Sequence, residues 1–297
     1  MYKSNINFNL YKTFYDVATY GSISKCATMN YTSQPAISRS IKTLETELNT
    51  KLFYRTKKGI TLTEKGKELY FYVEQSYNSL LTAERKMLET DNLDKGKLSI
   101  GIPSHIATFY LFNAIDDFHK KYPNIEITII SKSTSNLLEL LQSHEIDFMI
   151  DSDPIQFDDK NISIKHIIDF HNTFVAGENY DISNIKTLKD LENVPLILPI
   201  KGTNNRTNLD EYFVKNNFNV NNVLNIHTSE VIIGAIKRNL GIGYIIKELV
   251  SDDLKRGILK EINIPDLPKI GVSLVYIKEY ITKTPALFLK EYYNIDL

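Results

Sequence analysis

Gln34, Ser38, Arg39, Lys42 and Thr43 fall on one side of an amphipathic segment, and all are donor-bearing side chains with no carboxylate among them. Their chemistry is recognition: amide, hydroxyl and cationic donors suit phosphate oxygens and the acceptor-rich base edges of a major groove. On the other side Ala36, Ile37, Ile41, Leu44 and Leu48 recur at three- and four-residue steps, which predicts a helix with that face buried. Ser33 offers an N-cap hydroxyl, and Pro35 suits the first turn, where a missing N–H costs little. An ordinary surface helix shares this pattern, so the flanks must decide.

A second set of polar groups lies further along. Ser104, Ser133, Thr134, Thr203, Thr228 and Ser229 each stand just after a predicted strand and just before a predicted helix. In open α/β sheets ligands bind beyond the carboxyl ends of strands, where hydroxyls and free helix amides favour anions. The expectation is a small, anionic organic effector; the alternative is that each hydroxyl is only an N-cap. His105, Asn204 and Arg206 are secondary candidates. Arg206 would pair with a carboxylate if it points inward, or else lie solvated at the surface.

Bond-making chemistry has little support. Gly241-Ile242-Gly243 lacks the third glycine and the helix start of a phosphate-binding loop. The six histidines show no metal-ligand spacing, and Asp151 with Asp153 reads as a solvated acidic stretch. Cys26, the single cysteine, excludes an internal disulfide and fits a reduced compartment, so a cytoplasmic protein is expected. No metal, cofactor or enzymatic activity is expected.

The elements that would position the first set are compact. Phe8, Leu10, Tyr11, Phe14, Val17 and Ala18 make an apolar helix face ending at Gly21. Ser22 can cap a second short helix through Ile23, Cys26 and Ala27, and Asn30-Tyr31-Thr32 turns into the third. Two short helices, a tight turn and a capped polar helix make a helix-turn-helix. Downstream, 52–55 and 60–62 flank Thr56-Lys57-Lys58-Gly59, a hairpin whose basic tip could reach phosphates or a minor groove.

Gly21-Ser22-Ile23-Ser24, Ser33-Gln34-Pro35-Ala36-Ile37-Ser38, Leu44-Glu45, Leu52-Phe53, Arg55 and Leu62-Thr63-Glu64-Lys65-Gly66 together resemble the N-terminal module of LysR-type transcriptional regulators. Lys25-Cys26 and Asn49 depart from that pattern. Asn is the next-best residue after Gly for a left-handed helix end. The resemblance implies a DNA-binding surface of Ser33, Gln34, Pro35, Ser38, Arg39 and Lys42, with Arg55, Lys57 and Lys58 on the backbone or minor groove. It also implies that the hydroxyls after the strands line an inducer cleft.

Charge agrees with such a head. Residues 1–66 hold ten Lys/Arg against four Asp/Glu, net +6, while the rest holds 25 against 32, net −7. A basic module on an acidic body is the asymmetry of a DNA-binding protein. Residues 63–91 read as one long helix in which Leu69, Val73, Ser76, Leu80, Ala83 and Met87 follow a 4-3-4-3-4 step, a seam for a paired helix. A helix packed on its own domain is the alternative. No run of some 18 apolar residues suggests a membrane span.

The expected architecture is α/β with an N-terminal all-α winged helix-turn-helix, a long linker helix and a two-lobed, periplasmic-binding-protein-like effector domain. The expected bounds are 1–62 for the head, 63–91 for the dimerising linker, 92–96 for a hinge and 97–297 for the effector domain. Within the latter, lobe I takes about 97–161 and 268–297, and lobe II about 162–267, with mostly parallel sheets. The expected partners are double-stranded promoter DNA, a small-molecule effector and a second copy of the chain, the family implying a tetramer. A solute-binding or catalytic α/β protein with a helical interaction head, or a module that binds a partner protein, remains the competing expectation.

Overall fold

The computed structural model describes residues 6–56, 59–88, 96–155, 157, 161–221 and 223–297. The chain divides into two compact units, residues 1–89 with 142–145, and residues 90–141 with 146–297.

In the first unit α1 (Phe8–Tyr20), α2 (Ile23–Met29) and α3 (Gln34–Glu47) precede a hairpin of β1 (Phe53–Thr56) and β2 (Gly59–Leu62), then α4 (Glu64–Leu88). Each helix start follows from a side-chain cap. Asn7, Ser22 and Ser33 accept from the amides of Asn9, Lys25 and Ala36. Gly21 closes α1 in the left-handed region at φ 62°, and Asn49 takes φ 47° just beyond α3. Phe14, Val17, Cys26, Ile37, Ile41, Leu44 and Leu52 form the core, each 5% exposed or less. Ala36, expected on that buried face, is exposed. It sits in the first turn of α3, ahead of the turns that carry Ile37, Ile41 and Leu44 inward.

Gly66 explains itself by close approach: a Cβ there would lie 2.1 Å from the Leu52 carbonyl oxygen. Thr63 reinforces the joint, donating to the Lys51 carbonyl at 2.7 Å and accepting the Gly66 amide at 2.9 Å. The sequence Thr63-Glu64-Lys65-Gly66 therefore seats α4 against the root of the hairpin.

The second unit holds two five-stranded sheets. Its elements run β3 (Gly96–Gly101), α5 (Ser104–Ile106), a π-helical turn (Ala107–Leu111), α6 (Phe112–Lys121), β4 (Ile125–Ile130), α7 (Thr134–Gln142), β5 (Phe148–Ser152), β6 (Ile162–Phe170), β7 (Asn172–Gly177) and β8 (Leu196–Pro199). They continue through α8 (Asn204–Lys215), β9 (Val223–Ile226), α9 (Ser229–Lys237), β10 (Ile242–Ile246), α10 (Ser251–Lys255), β11 (Leu259–Ile262), β12 (Ile270–Ile277) and α11 (Lys283–Tyr293). One sheet has the order β4-β3-β5-β12-β6, the other β11-β7-β10-β8-β9.

Two expectations need correction. The sheets are mixed: β3 pairs in parallel with β4 and β5, and β8 with β9 and β10, but β12 runs antiparallel to β5 and β6, as does β7 to β10 and β11. The antiparallel strands are those that enter or leave the crossovers. Second, the placement of 162–170 in lobe II fails. β6 pairs with β12 from Ile162↔Ile277 to Phe170↔Ile270 and so belongs to the first sheet. The chain crosses at His171, between β6 and β7, and returns between β11 and β12.

Each lobe has its own core. Leu98, Ile100, Phe118, Phe148, Leu274 and Phe288 anchor the first, and Phe174, Leu196, Leu198, Leu209, Phe213 and Tyr244 the second. No described helix is long and apolar enough to cross a membrane.

Candidate functional site

The polar face of α3 is presented as its sequence demands. Ser33, Gln34, Pro35, Arg39 and Lys42 are exposed and Ser38 is half-buried. An open groove of about 710 Å³ runs between α3 and the hairpin, lined by Pro35, Ser38, Arg39, Lys42, Lys51 and Phe53 among others. Glu45, the only carboxylate lining it among the described residues, is occupied: it accepts Leu52 N at 2.9 Å, Phe53 N at 3.4 Å and Lys51 Nζ at 2.7 Å. Burial pushes its pKa up, but the bonds from Lys51 and the two amides outweigh that, and it is held below the usual carboxylate value. The groove therefore offers cations and hydroxyls to a polyanion without a free carboxylate in opposition. Arg55 lies on β1, while its side chain, and Lys57 and Lys58 altogether, fall outside the described residues.

The predicted seam of α4 divides. Val73 is buried in the core of the head, and Leu69 is partly buried against it. Leu80 and Met87 are 47% and 82% exposed, and Ala83 is exposed with them. Tyr72, 61% exposed, extends this outer line through Ser76. Tyr72, Ser76, Leu80, Ala83 and Met87 form one stripe at three- and four-residue steps. Of the expected hinge, 92–95 lies outside the described residues and Gly96 opens β3.

In the second unit the predicted hydroxyls follow the ends of β3, β4, β8 and β9. Ser104, Ser133 and Thr228 are exposed, and Thr134, Thr203 and Ser229 half-buried. They differ in what holds them. Thr203 is an ordinary N-cap, accepting Arg206 N at 3.3 Å and donating to the Ile200 carbonyl at 3.1 Å. Thr228 precedes α9 with no side-chain cap bond. The Ser133 and Ser135 hydroxyls lie 3.2 Å apart, and Thr134 bonds to the Asp151 carboxylate.

The lobes meet through these same segments. Asn204, at the start of α8, donates to the carbonyls of Ser152 at 3.2 Å and Pro154 at 3.4 Å, just past β5. His105, beside Ser104, is electrostatically coupled to Glu230 of α9. Burial pushes the His105 pKa down, and Glu230 opposes that shift. Asp151, 2% exposed, is pushed up by burial, partly offset by bonds from Thr134 and Ser152. Its Oδ2 is buried with no partner among the described residues.

Arg206 is neither an inward effector ligand nor a surface residue. It is 4% exposed, and its guanidinium donates to Asp210 at 2.7 Å, the Pro199 carbonyl at 2.8 Å and Asn225 Oδ1 at 2.6 Å. Those bonds join α8 to β8 and β9 and leave the arginine to the lobe itself. Sequence reasoning also missed a hollow of about 520 Å³ bordered by His171, Asn172, Lys247, Glu248, Glu261 and Asn263. Its walls come from separate strands and crossovers, so no local motif marks it. Among the described residues no cluster of His, Cys, Asp and Glu could hold a metal ion.

Comparison with known proteins bears on both units. Residues 8–67 match the bacterial regulatory helix-turn-helix family of lysR type, and residues 91–290 match the LysR substrate binding domain. The HTH-type transcriptional regulator GltR of Bacillus subtilis is 28% identical over 284 residues, covering 95% of this chain and 94% of that one. The HTH-type transcriptional regulator SoxR of an Arthrobacter species is 30% identical over 255 residues, covering 85% and 84%. Among solved structures, a full-length OxyR variant from Pseudomonas aeruginosa shares the fold with a TM-score of 0.75 at 17% identity, over 97% of this chain and 95% of that one. CbnR, a LysR family transcriptional regulator, does so with a TM-score of 0.57 at 18% identity, over 96% and 99%.

Proposed function

Because this chain belongs to the LysR family, and so is a DNA-binding transcriptional regulator with an effector-binding domain, we propose that α3 reads promoter DNA under the control of a small effector held between the two lobes. The observation that carries the reading is the groove beside α3. Among the described residues its free polar groups are hydroxyls and cations, and the one carboxylate is tied to the root of the hairpin.

In this reading Gln34 and Arg39 contact base edges, while Ser33 meets a phosphate at the helix N-terminus and Ser38 and Lys42 meet phosphates further along α3. Pro35 packs beside them, and Arg55, Lys57 and Lys58 of the hairpin reach the flanking backbone. Phosphate contacts set affinity and make it fall with salt; base contacts set sequence. Met87, Ala83 and Leu80, with Tyr72, form the contact with a second α4. Pairing gives two heads and two half-sites, and a tetramer doubles that.

The effector is a small organic anion lodged among Ser104, Ser133, Thr134, Thr228 and Ser229. The free amides at the start of α7 and α9 supply its counter-dipoles. Thr203 lends structure more than contact, since its hydroxyl is spent on the cap. The Asn204 bridge to the end of β5 makes the lobe arrangement sensitive to what lies there. Closure changes DNA occupancy only if the effector binds the two arrangements with different affinity.

A metabolite thermal-shift screen on the full-length chain, followed by footprinting with each hit, tests this reading. A stabilising organic acid that alters the footprint supports it. Hits that leave footprint and affinity unchanged overturn the control mechanism.

A further inference from the structure

Tyr31 stands in the turn between α2 and α3 and is 99% exposed. Its backbone is left-handed, at φ 51°. The local bonds explain why: the Tyr31 amide reaches the Thr28 carbonyl at 3.3 Å, and the Thr32 amide reaches that of Ala27 at 2.9 Å. Those are the paired bonds of a Schellman helix end, and Tyr31 occupies the position where glycine is normally selected. An L-residue with a Cβ is disfavoured there.

The other non-glycine residues described with positive φ are Asn49, His144, Asn217, Asn239, Asp266 and Asn294. Asn, Asp and His are the types that tolerate this region best. Among the described residues Tyr31 alone falls outside those three types. Among the described residues no ring contact or hydrogen bond of its side chain offsets the unfavourable backbone, and the ring lies almost wholly in solvent. Local strain kept without a packing reason is a mark of functional placement.

Its location supplies the function. Tyr31 is two residues from Ser33, the N-cap of α3, and Thr32, Ser33, Gln34 and Pro35 beside it are all exposed. The N-terminal residues of a recognition helix enter the groove, and phosphates form its walls. A phenol is a neutral donor able to bond a phosphate oxygen. We propose that Tyr31 is a DNA-contacting residue whose hydroxyl donates to a backbone phosphate beside the recognition helix. The inference rests on the reading of α3 as the DNA-facing helix. The contact positions the helix and carries no sequence information, so it acts on every duplex.

The test uses the full-length chain and two labelled duplexes, one from upstream of its own gene and one shuffled, across a salt series. Tyr31→Phe should leave the Tm unchanged and weaken binding to both duplexes equally, by about three- to tenfold. The slope of log affinity against log salt should not change, because a neutral hydroxyl displaces no counterion. Tyr31→Gly should raise the Tm while weakening binding to both duplexes. Native affinity of Tyr31→Phe on both duplexes would overturn the proposal, as would a loss confined to the upstream duplex, which would mean a base contact. A lowered Tm for Tyr31→Gly would show the tyrosine to be there for stability. Arg39→Ala, run alongside, separates the two levels: if it too binds like the native chain, the reading of α3 itself has failed.

Discussion

The Glu45 carboxylate accepts the Leu52 amide at 2.9 Å, tying α3 to the residue that precedes β1. With Lys51 and Phe53 as further donors, this one side chain fixes the angle between the two elements that line the groove. Glu45→Ala is expected to destabilise the head by about 1–3 kcal/mol at neutral pH. The sign of the pH dependence follows from the lowered pKa. A carboxylate whose folded value is depressed adds stability that is full above its unfolded pKa and is lost as pH falls through the folded value. Thermal melts of native and Glu45→Ala protein from neutral pH downward should therefore converge in acid. A gap independent of pH would show that the ionised form is not what holds the hairpin.

The outer stripe of α4 predicts an effect on assembly. Leu80→Glu with Met87→Glu places like charges where the two helices would meet, while Val73, turned toward the core of the head, remains untouched. Sedimentation should show a smaller assembly with an unchanged melting temperature for the head. Val73→Ala should do the reverse, costing about 1 kcal/mol of head stability while leaving assembly intact. If the charged variant keeps the native mass, the stripe is not the pairing surface.

The cleft hydroxyls separate by what they already bond. Ser229→Ala and Ser104→Ala should weaken effector binding by calorimetry, each by about 1 kcal/mol, with little change in Tm. Thr203→Ala should instead lower the Tm, because it removes a helix cap worth about 1 kcal/mol, and leave effector affinity close to native. Unchanged affinity in both serine variants would remove the effector from this cleft.

Arg206 provides a complementary check. Arg206→Met leaves Asn225 Oδ1 and the Pro199 carbonyl without their buried donor, while Asp210, 41% exposed, is met by water; it should cost about 1–3 kcal/mol of lobe stability. A variant that melts like the native chain but binds effector weakly would restore Arg206 to the ligand list.

What could be read from the chain, and what could not, follows from the range of each signal. The helix-turn-helix is local: Ser22 and Ser33 cap, Gly21 and Asn49 reverse the chain, and Leu44, Ile41 and Ile37 recur on one face within a few residues. Local periodicity settles such elements. The same periodicity did not show that Val73 is covered by the core of its own head, because a heptad step records that a face is covered, not by what. Strand partnership is non-local, so β6 looked like the start of the second lobe until its pairing with β12 was seen. Arg206 failed for the same reason: its partners Pro199 and Asn225 lie on two other strands, and sequence gives the charge without the neighbours.

The exposed face of α3, in the function proposed above, discriminates among DNA sequences. Its most direct test is the ratio of equilibrium affinities of the full-length chain for a duplex from upstream of its own gene and for a shuffled duplex, measured at one salt concentration for native and Arg39→Ala protein. A native ratio on the order of 1,000 or more is expected, reduced in Arg39→Ala by a factor worth about 1–3 kcal/mol. A native ratio near one, or an Arg39→Ala ratio equal to the native, would contradict it.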